Sequence, residues 1–87
     1  MEVSSCGDRQ VFYRRLLEAL LHSSARLTKR EAEVCASIML GYTSFAIGER
    51  LGISAGTVAT HRKHAYAKLG VCSQAELFGK YIDTLQN

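Results

Sequence analysis

Residues 42–70 read YTSFAIGERLGISAGTVATHRKHAYAKLG, and the order of residue types in this stretch decides the fold. Thr43 or Ser44 suits a helix cap, because a hydroxyl there accepts a hydrogen bond from an orphan N–H of the first turn. Phe45, Ala46, Ile47 and Leu51 supply apolar positions up to Gly52, the residue type that ends a helix in the left-handed conformation. Ile53 then plugs the core, and Ser54 caps a longer helix that runs through Val58, Ala65 and Leu69 to Gly70. The stretch predicts a short helix and a longer one meeting across Gly52-Ile53-Ser54.

Working outward, Thr28-Lys29-Arg30-Glu31 reads as a capping box, in which the threonine hydroxyl and the glutamate carboxylate each satisfy a free N–H. Leu27 is placed to staple against Ala32, and Val34, Cys35, Ile38 and Met39 continue a buried stripe until Gly41, giving a helix over about Lys29 to Leu40. Before it, Ser23 to Arg26 form a polar break. Asp8 is a cap for a first helix over about Arg9 to His22, with Val11, Phe12, Leu16, Leu17, Ala19, Leu20 and Leu21 at helical spacing. After Gly70, Ser73-Gln74-Ala75-Glu76 forms a second capping box and opens a last helix bearing Leu77, Phe78, Tyr81, Ile82 and Leu85. The expected class is all-α.

Composition agrees. The chain has 87 residues, no proline and an ordinary apolar share of 47%, which fits one compact helical domain rather than a disordered segment. Cys6, Cys35 and Cys72 are odd in number and widely spaced, so neither a disulfide framework nor a zinc knuckle is expected, and a reducing, cytoplasmic setting fits best. No stretch approaches the roughly 20 apolar residues that span a bilayer. The net charge of +3 is modest, but Arg50, His61, Arg62, Lys63, His64 and Lys68 lie between Glu49 and Glu76 with no acidic residue among them.

A short capped helix, a tight glycine turn and a longer basic helix are the ingredients of a helix-turn-helix, whose second helix enters the major groove of double-stranded DNA. At roughly 100° per residue, Val58, Ala65 and Leu69 share one face, flanked by His61 and Arg62. Gly56, Thr60, Lys63 and Ala67 occupy the opposite face, bordered by Ala59 and His64. Thr60 and Ala59 suit base edges or a thymine methyl, and Lys63 suits a guanine or a phosphate. Ser54, Gly56 and Thr57 sit where a positive helix end and a bare backbone favour a phosphate.

Leu27-Thr28-Lys29-Arg30-Glu31, Glu33-Val34, Gly41, Leu51-Gly52-Ile53-Ser54, Thr57-Val58, His61 and Lys68-Leu69-Gly70-Val71 together make the chain resemble the LuxR-type, or GerE-like, DNA-binding domain over about Leu27 to Leu85. The resemblance implies a four-helix domain at 27–87, preceded here by a tail and an additional N-terminal or linker helix at 1–26. It implies a transcription regulator that reads a pseudo-palindromic operator with the helix at 54–69. It also implies a homodimer formed through the last helix (Leu77, Phe78, Tyr81, Ile82, Leu85) and a sensing or phosphoacceptor domain in a longer parent. In the family's motif, Thr57, Ala59, Thr60, His61 and Lys63 lie on or near DNA, and Thr43 and Ser44 begin the supporting helix beside the backbone.

The chain departs from that pattern. Ser44-Phe45-Ala46 replaces the usual Asn-Lys-Glu run, and Ala59 stands where a lysine or arginine is common; each lost phosphate contact lowers the salt slope of binding by about 0.9. Arg62 and Lys63 are the candidates to compensate. Ala65 replaces a larger aliphatic residue, so Tyr66 or a neighbouring helix must fill its volume. Phe45 is read as core rather than as an exposed protein-binding patch, and Cys35 as a small core residue. The last helix either completes the core or pairs two copies. The first, through Phe12, Leu16 and Leu20, either docks on that core or links to a sensor. His61 and His64 with Cys35 or Cys72 lack a close third partner, so no metal or other cofactor is expected, and a chain this small has little room for a catalytic pocket. The alternative to a DNA-binding regulator is a helix-turn-helix relic that pairs with a related regulator without binding DNA strongly.

Overall fold

The computed structural model describes residues 5–86, with side chains over 9–82. The chain forms five helices: α1 (Ser5–Leu21), α2 (Lys29–Met39), α3 (Ser44–Leu51), α4 (Ala55–Leu69) and α5 (Gln74–Gln86). Among the described residues there is no strand.

Capping chemistry sets the starts. Thr28 Oγ1 accepts from the Glu31 N–H at 3.1 Å while Glu31 Oε1 accepts from the Thr28 N–H at 2.9 Å, the reciprocal box expected for α2. Thr43, not Ser44, caps α3, accepting from the Ala46 N–H at 3.1 Å. Ser54 caps α4, and α3 and α4 end on Gly52 and Gly70 in the left-handed conformation. The box at α5 is only half reciprocal. Ser73 Oγ accepts from the Glu76 N–H, but the Glu76 carboxylate reaches one residue further back, to the Cys72 N–H at 2.8 Å. At the N-terminus the helix is already formed at Ser5, so Asp8 lies inside it instead of capping it. Nothing between Ser5 and Asp8 denies α1 its ladder, since proline is absent.

The helices enclose one core. Leu16 and Leu20 of α1, Ala32, Val34, Cys35 and Ala36 of α2, Ile47 of α3, Val58 and Ala65 of α4, and Leu77 of α5 are wholly removed from solvent. Leu27, at the entry to α2, joins them, and Tyr66 packs against the same cluster. α2 is central, packing on α1, α4, α3 and α5, and α1 also lies against α5. The first helix therefore docks on the core, through Leu16 and Leu20, whereas Phe12 stays 36% exposed. Arg9 ties its N-terminal end down: its guanidinium donates to the Leu40 carbonyl at 3.1 Å and lies 4.9 Å from the centre of the Tyr42 ring.

Phe45 overturns its expected place, being 67% exposed. Ile47 is the inward residue of α3, and Phe45, two positions earlier, falls roughly 200° around the helix from it. Once Ile47 is buried, Phe45 must face water.

Candidate nucleic-acid interface

The joint between α3 and α4 depends on a glycine that periodicity does not single out. A Cβ on Gly48 would lie 2.5 Å from the Ile53 carbonyl oxygen, and the Ile53 N–H donates to the Gly48 carbonyl at 2.9 Å. The only legible hint was a glycine in mid-helix, which costs roughly 1 kcal/mol unless packing requires it. Here backbone passes over backbone, and that close approach fixes how α4 projects from α3.

α4 has the two faces expected of it. Val58, Ala65 and Leu69 are buried, while Gly56, Thr60, Lys63, His64 and Ala67 are exposed and Ala59 half-exposed. His61 is half-buried at the boundary. At the start of the helix, Ser54 Oγ accepts from the Thr57 N–H at 3.1 Å and donates to Thr57 Oγ1 at 3.0 Å, leaving both hydroxyls at an exposed helix end. Thr60 donates its hydroxyl to the Gly56 carbonyl at 3.2 Å, so it offers lone pairs and a methyl outward. Thr43 is exposed and Ser44 half-exposed at the start of α3.

The cations of the basic stretch have different duties. Lys68 Nζ lies 2.8 Å from Glu31 Oε1 and also donates to the Arg26 carbonyl at 3.4 Å, so it locks α4 to the entry of α2. Burial by itself would raise the Glu31 carboxyl, but hydrogen bonds from Lys68 and the Thr28 N–H outweigh it and hold the group below its ordinary value. Arg50 stacks 4.6 Å from the centre of the Tyr42 ring and donates to its hydroxyl at 3.2 Å. Arg62 donates to Ser44 Oγ at 3.4 Å, bridging α4 to α3. Among the described residues Lys63 has no hydrogen bond or ion pair. The Lys68 and Arg62 links join positions far apart in sequence, so no local signal reveals them.

Leu77 is fully buried and Tyr81 nearly so, whereas Phe78 is 37% exposed and Ile82 half-buried; Leu85 lies outside the described side chains. Cys35 is enclosed, and burial followed by the nearby Glu31 carboxylate pushes its thiol up to about 12, which makes it an inert core residue. Among the described residues, no three His, Cys, Asp or Glu side chains converge to hold a metal ion, and no helix is long and apolar enough to cross a membrane.

Residues 25–79 match the family model of the bacterial regulatory proteins, luxR family. A chain encoded in the exeN 3′ region of Aeromonas salmonicida, described as an HTH-type transcriptional regulator, is 47% identical over 60 residues, covering 69% of this chain and 31% of that one. The transcriptional regulatory protein MctR of Rhizobium johnstonii is 36% identical over 73 residues, 84% of this chain and 34% of its own. The oxygen regulatory protein NreC of Staphylococcus aureus is 43% identical over 51 residues, 59% of this chain and 24% of its own. This chain thus spans about a third or less of the length of the relatives it matches. No solved structure matches it. With most of the chain inside the family match, the protein belongs to the luxR family of bacterial regulatory proteins.

Proposed function

We propose that this chain is the DNA-binding part of a transcription regulator, acting in the cytoplasm and without a cofactor, with α4 lying in the major groove of double-stranded DNA. One observation carries the reading: the outward face of α4 is small at its start, cationic at Lys63, and free of carboxylates. Ala59 and Thr60 meet base edges, and Lys63 meets a guanine or a phosphate. Ser54, Gly56, Thr57, His61, Thr43 and Ser44 meet the sugar-phosphate chain.

Residues 27–87 form the reading unit, and residues 1–26 supply the tail and the helix that leads from a sensing or phosphoacceptor domain in a longer parent. Two copies pair through α5 and read the halves of a pseudo-palindromic operator, about one helical turn apart. Phe78, Ile82 and Leu85 form the pairing stripe, while Leu77 and Tyr81 support it from within.

A salt titration of binding to random-sequence duplex tests this. Binding falls steeply with salt, and Lys63→Ala lowers the slope of log affinity against log salt by about 0.9. No binding even at low salt defeats the reading. It would favour the second one, a module that pairs with a related regulator through a protein surface, which the exposed Phe45 recommends.

A further inference from the structure

A cleft opens where α3, α4 and α5 begin or pass one another, walled by Thr43, Ser44, Arg62, Tyr66 and Gln74 and lined by no carboxylate. Resting on the DNA-binding reading, we propose that this cleft holds a backbone phosphodiester of the duplex, gripped by the Arg62 guanidinium with the Ser44 hydroxyl and the Gln74 amide. None of these interactions involves base edges.

Three features converge on that ligand. Arg62 sits one turn after Val58 and is half-buried, and its guanidinium reaches across to the first turn of α3, where it donates to Ser44 Oγ. Its one hydrogen bond among the described residues, to Ser44 at 3.4 Å, is long; the Gln74 amide donates to the Ile38 carbonyl at 3.5 Å. Donors held at the weak end of hydrogen-bonding range exchange readily for a charged acceptor. The exposed Phe45 leaves the start of α3 without a cation of its own, although the free N–H groups there favour an anion. Arg62 brings that charge across from α4.

The test compares the chain with Arg62→Ala, Arg62→Lys and the double change Arg62→Ala with Phe45→Lys, on two duplexes of unrelated sequence. Arg62→Ala should lower the salt slope by about 0.9 and weaken both duplexes by the same factor, with the chain still fully folded at the temperature of the binding measurement. Arg62→Lys should keep the slope, and Phe45→Lys should restore it in the double variant. An unchanged slope in Arg62→Ala overturns the phosphate grip and leaves the DNA-binding reading standing, as does a loss confined to one sequence. Absence of salt-dependent binding by the unaltered chain overturns both.

Discussion

Lys63 and Lys68 lie five residues apart in one helix and carry the same charge, yet one faces water with no partner among the described residues and the other holds a buried carboxylate at 2.8 Å. The five-residue step rotates them by roughly 140°, enough to move a lysine from the outward face of α4 to the seam with α2. The contrast teaches that a basic stretch is not a basic surface. Its charges must be assigned one at a time, and Lys68, Arg50 and Arg62 each have an internal partner.

The strongest way to break the contrast is to dislodge α4 itself. Gly48→Ala forces a Cβ to 2.5 Å from a backbone oxygen that no rotamer change can relieve. A loss of about 3 kcal/mol is expected, read as a lowered denaturation midpoint and lost DNA binding. Near-normal stability would mean that the turn yields.

Next, Lys68→Ala leaves Glu31 buried and unpaired. It should cost about 2 kcal/mol, less than a fully buried pair because Lys68 is still 36% exposed. Any effect on the salt slope comparable to that of Lys63→Ala would show that Lys68 also faces DNA.

The same lock has a pH signature. Glu31 is held below its ordinary value of 4.5, so its contribution is complete above that pH and disappears as pH falls through the depressed value. Melts from neutral to acid pH should show a decline that Glu31→Gln makes shallower; parallel curves would remove Glu31 from the account.

The smallest stability effect belongs to Lys63→Ala, within about 0.5 kcal/mol of the unaltered chain. A loss matching that of Lys68→Ala would erase the distinction between the two faces.

Short-range chemistry was legible in the residues: the Thr28 and Ser54 caps, the glycine stops at Gly52 and Gly70, and the buried row of Val58, Ala65 and Leu69 all follow from groups within a turn or two of one another. The outward face of α4 was legible for the same reason. Phe45 was not, because it and Ile47 stand on opposite sides of α3 and only packing decided which side turns inward. Nor were the Arg9 tether, the Arg62 bridge or the Lys68 lock, which span 31, 18 and 37 residues. Periodicity and capping act through backbone geometry that repeats along the chain, so the sequence by itself determined the capped helices and the two faces of α4. Which cation meets which oxygen depends on how those helices cross, and only tertiary packing decided that.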